Sequence, residues 1–208
     1  MRVNKEQESE RILDAVIWCK YQNNGGFVQL TQAAAKAGIS SRTLSRYFPD
    51  KDKLLSAAAA RYLQAKYCEY AEGFRGAESE KASGLDTLLR FIRYLFGRFR
   101  ENELDARMIT DAIFYYARAE GSDAFPQIQF DCAVKDKFTA YMKKGIGDGS
   151  IRRGADPEEA VLLLASTFIG LVLKLSCVAL ADTPEPKKQL ALRVFERYME
   201  QMELCLKS

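Results

Sequence analysis

The chain has 208 residues with 31 Lys+Arg against 28 Asp+Glu, a net charge of +3, and 48% hydrophobic residues. That length allows one domain or two small ones with a sizeable core, and the composition argues against both disorder and a coiled coil. There is no histidine, which removes Ser-His-Asp, Cys-His and HExxH chemistry together and leaves most enzyme templates without a candidate.

The amino-terminal stretch MRVNKEQESERILDAV is polar and does not resemble a secretory signal. Ile12, Leu13, Val16 and Ile17 give the i, i+3, i+4 stripe of a first helix over about 5–22, which the NNGG turn ends. A second short helix is expected over about 30–37, where Leu30, Ala33, Ala34 and Ala37 form a small-residue face before Gly38. Small residues permit close helix approach.

The stretch GISSRTLSRYF, residues 38–48, is written as a third helix. Ser40 suits the N-cap, and Ile39 and Leu44 have the spacing of a hydrophobic staple across it. At 100° per residue Leu44 and Phe48 share one stripe, while Arg42 and Arg46 lie almost opposite, flanked by Thr43 and Ser45. Two like charges at i and i+4 repel on an isolated helix. A polyanion would offset that repulsion, since guanidinium forks grip phosphate or guanine edges and short hydroxyls allow close approach. A merely solvated face is the alternative reading. Pro49 and Asp50 then favour the start of a fourth helix, with Leu54, Leu55 and an alanine run carrying it past Tyr67.

Helix, AGIS turn, helix is the spacing of a helix-turn-helix, whose second member enters the major groove. The segment LTQAAAKAGISSRTLSRYFPDKDKLL, residues 30–55, resembles the amino-terminal domain of TetR-type (TetR/AcrR) transcriptional regulators. The usual pattern there runs helix, Ala-Gly-Val-Ser, short recognition helix, Tyr-Phe, a small turn and Lys-x-x-Leu. Ala34, Ala37, Gly38, Ile39, Ser40, Thr43, Leu44, Tyr47, Phe48, Lys51 and Leu54 match it. The resemblance implies that Tyr47 and Lys51 touch phosphates and that Thr43 lies at the DNA face; the helical geometry adds Arg42, Ser45 and Arg46. Ser40 and Ser41 open the same helix. Two positions depart from the pattern: Ser45 stands where an aromatic is common, and Gln29 where a Thr or Ser usually begins the second helix. Core packing is the other reading of Tyr47 and the favoured one for Phe48. Charge agrees only weakly, with 11 Lys+Arg against 7 Asp+Glu in residues 1–70 and 20 against 21 in the rest.

Residues 85–141 hold 11 of the 23 aromatics, among them Tyr94, Tyr115, Tyr141, Phe125 and Phe130. Most are expected in the core, but such a cluster could also line a cavity for an apolar or aromatic small molecule, with Arg107 or Asp111 as polar handle. The glycines of KKGIGDGS, 145–149, read as a C-cap and turn after a helix, and no phosphate-binding glycine loop occurs. Residues 160–181 carry a single charge, Lys174, with two serines and a threonine among apolar residues; a buried helix that starts at Pro157 fits better than a membrane span, which would place that lysine in hydrocarbon. The last helix, about 186–206, carries Leu190, Val194, Phe195, Tyr198, Met202 and Leu206 at helical spacing. Together the two suggest a four-helix homodimer interface involving Leu171, Phe195 and Tyr198, as in the family. Five cysteines, odd in number and without a CxxC pair, fit a reducing cytoplasm and no zinc site.

The sequence thus predicts an all-α protein: a helix-turn-helix DNA-binding domain of three helices over 1–50, then a larger helical ligand-binding and dimerisation domain over 51–208. The expected function is that of a transcriptional regulator, a repressor released from a palindromic operator by a small ligand. It is not expected to be an enzyme or to need a cofactor or metal. A helical protein-interaction scaffold is the alternative, although it would not need the paired arginines.

Overall fold

A computed structural model describes residues 5–74, 82–120, 133–177 and 185–207. Among these the chain is all-α, with helices α1 (Lys5–Gln22), α2 (Leu30–Lys36), α3 (Ser41–Tyr47), α4 (Lys51–Gly73), α5 (Gly84–Glu101), α6 (Glu103–Glu120), α7 (Ala133–Asp148), α8 (Pro157–Cys177) and α9 (Glu185–Leu206). Phe125 and Phe130 and the expected extension of α8 over 178–181 lie outside the described residues. The helices form two compact units, one comprising residues 1–66 and 107–128 and the other 67–106 and 129–208.

The first unit is built on the apolar stripe of α1. Ile12, Ala15, Val16 and Cys19 pack with Ala33, Ala34 and Ala37 of the α2 region, Leu44 of α3 and Leu54, Leu55 and Ala58 of α4. The alanines bring α2 close to α1, and Leu44, 1% exposed, anchors α3 from beneath with Tyr47 half-buried beside it. On the outer side Arg61 of α4 bonds Asp14 of α1 with both its Nε, at 2.6 Å, and an Nη, at 3.1 Å, and Glu10 lies 3.4 Å away. Asp14 thereby pushes the Arg61 guanidinium further up from its ordinary pKa.

In the second unit α5 and α7 meet at two glycines. A Cβ on Gly84 would fall 2.0 Å from the Gly145 nitrogen, and one on Gly145 would fall 2.5 Å from Ile151 Cδ1. The expected glycine turn at 145–149 is therefore shorter than its sequence suggested: α7 runs through Gly145 and Gly147, and Gly149, with φ +79°, ends it. Asp148 and Ser150 then cap the start of α5. The Gly84 amide donates to Asp148 Oδ2 at 2.7 Å and the Leu85 amide to Ser150 Oγ at 3.2 Å. The Ser150 hydroxyl first, then the Gly84 and Ser150 amides, donate to the Asp148 carboxylate and hold its pKa below the ordinary value.

Candidate nucleic-acid interface

The helix-turn-helix is closed by local bonds that the sequence specifies. After α2 the Gly38 amide donates to Ala35 and the Ile39 amide to Ala34, both at 3.0 Å, with Gly38 at φ +67°. This is a Schellman ending, and it needs glycine for the backbone alone, because a Cβ there would meet nothing within 4 Å. Ser40 then has extended backbone and caps α3, its Oγ accepting from the Thr43 amide at 3.1 Å and lying 3.0 Å from Thr43 Oγ1. Ile39 packs against the cluster that contains Leu44, as the staple requires. Asp50 repeats the device at α4, accepting from the amides of Asp52 at 2.8 Å and Lys53 at 3.3 Å.

With Leu44 buried beneath it, α3 turns Ser41, Arg42, Ser45 and Arg46 outward, all exposed, and leaves Thr43 half-buried. No carboxylate partners Arg42 or Arg46 among the described residues; Arg46 lies 5.8 Å from the Tyr47 ring instead. Tyr47 and Phe48 are both half-buried against the core. Gln29 is exposed at the start of α2 and forms no side-chain cap there. Lys51, the first residue of α4, holds its ammonium 4.3 Å above the ring of Phe27. Phe27 was not singled out by the sequence, where it is one aromatic in a polar loop; its pairing with Lys51 spans 24 residues.

The five residues considered for a small ligand divide between the units. Arg107, Asp111 and Tyr115 lie on the part of α6 in the first unit. There Lys20 of α1 occupies both of the latter, forming an ion pair with Asp111 and lying 5.0 Å from the Tyr115 ring, while donating to the Gly25 carbonyl at 3.1 Å. Beside them Tyr115, Val16, Leu55, Tyr62 and Met108 line an apolar cavity of about 20 Å³, enough for a single water-sized probe. Tyr94 and Tyr141 lie in the second unit, in an aromatic cluster on Phe74, at 5.4 and 6.1 Å between ring centroids. Phe91 completes it, and Lys137 Nζ donates to the Tyr141 hydroxyl at 3.2 Å.

On α8 and α9 the apolar residues face two ways. Phe195 is 2% exposed and stacks on Phe96 of α5 at 3.8 Å, so it belongs to the packing of its own protomer. Leu162, Leu163, Leu190 and Val194 are instead 45–60% exposed. Leu171 and Tyr198 are half-buried, and burial pushes the Tyr198 hydroxyl up to about 12, opposed in part by Thr167. No helix among the described residues is long and apolar enough to cross a membrane.

No protein-family model matches the sequence, and none of the curated proteins matches it. Solved structures do. A TetR-family transcriptional regulator from Mesorhizobium loti aligns over 100% of both chains with a TM-score of 0.66 at 16% identity. The chain has the TetR-type fold. FadR from Bacillus subtilis, solved with stearoyl-CoA, aligns over 95% of this chain and 98% of its own with a TM-score of 0.63 at 17% identity. RolR, solved with resorcinol, aligns over 97% and 88% with a TM-score of 0.62 at 16% identity. Within the TetR-type fold the capped α3 of this chain occupies the second position of the helix-turn-helix, which is where the sequence put it.

Proposed function

We propose that this protein is a DNA-binding transcriptional regulator, a repressor whose grip on its operator is released by a small apolar or aromatic ligand. The observation that carries the reading is the outward face of α3. Among the described residues Arg42 and Arg46 have no carboxylate partner there, on a helix that Leu44 and the Ser40 cap hold, so the repulsion between them is relieved when a duplex supplies phosphate or guanine edges. Arg42, Thr43, Ser45 and Arg46 read or approach the bases, while Gln29, Ser40, Ser41, Tyr47 and Lys51 lie along the backbone. Residues 1–50 form the reading head and 51–208 the ligand-binding and dimerisation part.

The exposed leucines and Val194 of α8 and α9 suit a two-fold partner, with Leu171 and Tyr198 beside them. A dimer would present its two α3 helices to successive major grooves about 34–36 Å apart on a near-palindromic site. Similar folds holding an acyl-CoA and a small phenol support a ligand of apolar or aromatic character. For the ligand itself the aromatic cluster at Tyr94 and Tyr141 and the Arg107, Asp111 and Tyr115 group are separate candidates.

The test is selection of bound duplexes from a random library, followed by salt titration of the best site. A regulator gives one dominant, roughly palindromic sequence and a steep fall of affinity with salt. Arg46→Ala should lose about 1–3 kcal/mol on that site, whereas Lys51→Ala should weaken all duplexes alike and flatten the salt slope by about one. Unchanged affinity in Arg42→Ala/Arg46→Ala would remove α3 as the recognition helix.

A further inference from the structure

We propose that Phe27 is a positioning residue for DNA binding, its ring holding the Lys51 ammonium where a backbone phosphate of the duplex meets it; this rests on the DNA-binding reading above. Phe27 is 69% exposed in a short polar loop, so its ring is not held by the core. Its neighbour Val28 is 4% exposed and points into the core. The loop is fixed from the backbone side: Asn23 Nδ2 donates to the Phe27 carbonyl at 2.9 Å and the Gly26 amide to the Asn23 carbonyl at 2.9 Å. The backbone from which the ring projects is therefore held in place.

Among the described residues the charge of Lys51 meets the Phe27 ring rather than a carboxylate. The Asp50 carboxylate already accepts from two backbone amides at the start of α4, and among the described residues no carboxylate forms an ion pair with Lys51. Its Nζ lies instead 4.3 Å from the Phe27 centroid, well inside the distance of about 6 Å at which an aromatic face attracts an ammonium. The contrast with Lys20 is informative, because that ammonium is neutralised by Asp111. An uncharged ring narrows the motion of a long, flexible side chain without cancelling its charge, so Lys51 arrives at a phosphate partly ordered and fully cationic. Since phosphate contacts carry no base information, the benefit is the same on every duplex.

A double-mutant cycle on the full chain tests this, using a mixed-sequence duplex and fluorescence anisotropy at several salt concentrations. Phe27→Leu should weaken binding about 2–5-fold, Phe27→Tyr should restore it, and in a Lys51→Met background Phe27→Leu should change nothing. Because the ring is exposed, the thermal midpoint should hardly move in any of these variants. Wild-type affinity in Phe27→Leu, or an equal loss with and without Lys51, overturns the positioning role while leaving DNA binding intact. Failure of the unmutated chain to bind any duplex, with no fall of anisotropy signal as salt is raised, overturns the DNA-binding reading and this inference with it.

Discussion

The same substitution, glycine to alanine, should act with opposite sign at two positions near the contact of α5 and α7. At Gly84 the added methyl would lie 2.0 Å from the Gly145 nitrogen, 2.3 Å from its Cα and 2.7 Å from the Lys144 carbonyl carbon. All three are backbone atoms of a helix, so none can rotate aside; the helices must separate, which strains the Asp148 and Ser150 bonds to the first amides of α5. Overpacking of this kind costs about 1–3 kcal/mol, and a clash with backbone belongs at the upper end. At Gly147, less than a turn further along α7 from Gly145, the methyl would meet nothing within 4 Å. Only the conformational effect remains there, a gain of about 0.5–1 kcal/mol from replacing a helical glycine. The two variants should thus differ by about 2–4 kcal/mol, read as urea midpoints at constant m-value by far-UV circular dichroism. Two variants within about 0.5 kcal/mol of each other would refute the close approach of α5 to α7.

Three further perturbations report on the cap, the outer face of α8 and α9, and the buried hydroxyl. Ser40→Ala removes the cap on the Thr43 amide and should cost about 1 kcal/mol in unfolding while weakening operator binding, with Ser40→Asp recovering the stability; a neutral Ser40→Ala would mean that α3 is held by Leu44 alone. A Leu163→Asp/Val194→Asp variant places charges on residues 60% and 45% exposed, so the chain should fold, yet sedimentation at micromolar concentration should show monomers where the unmutated chain is expected to form the proposed dimer. Phe195→Asp should instead fail to fold, because that ring stacks on Phe96. Tyr198, raised from 10.0 to about 12 in the folded chain, favours the folded state fully below pH 10 and loses that contribution as pH rises towards 12. Tyr198→Phe should accordingly flatten the alkaline fall in stability by about 1–2 kcal/mol, allowing for its partial exposure, and an unchanged alkaline limb would refute the burial of its hydroxyl.

The head was legible because its signals are local. The Ser40 cap, the Gly38 turn, the Ile39 and Leu44 staple and the Asp50 start of α4 each involve residues within a few positions, where the chain geometry leaves one arrangement. Helical period likewise placed the ends of α1, α2 and α9 within a residue or so. It could not say which side of α9 meets its own protomer, because Phe195 and Val194 are adjacent in sequence and both apolar. Only the stack on Phe96, 99 residues away in the chain, separates the inward ring from the outward valine. The glycines of 145–149 misled for the same reason: punctuation at Gly145 and Gly147 signals a turn locally, whereas the Ile151 side chain folded back on α7 makes the absence of a side chain at Gly145 a packing requirement inside a continuing helix.

Charge is the property that sequence reports least completely. The +4 surplus of residues 1–70 treats every lysine alike, yet their surroundings divide them by what remains for a duplex. Lys20 is committed to Asp111 and the Gly25 carbonyl, and Lys36 lies 4.3 Å above the ring of Trp18, away from α3 in the sequence order of the helix-turn-helix. Arg61 is held by Asp14 and Glu10. Among the described residues no carboxylate forms an ion pair with Arg42, Arg46 or Lys51, which lie on α3 or at the first residue of α4. The weak overall excess thus conceals a local one, since Lys20 and Arg61 are paired with carboxylates of α6 and α1 while the arginines of α3 are not. Because attraction to a duplex scales with the phosphates neutralised rather than with net charge, the proposed interface depends more on these side chains than on the surplus of the segment that contains them.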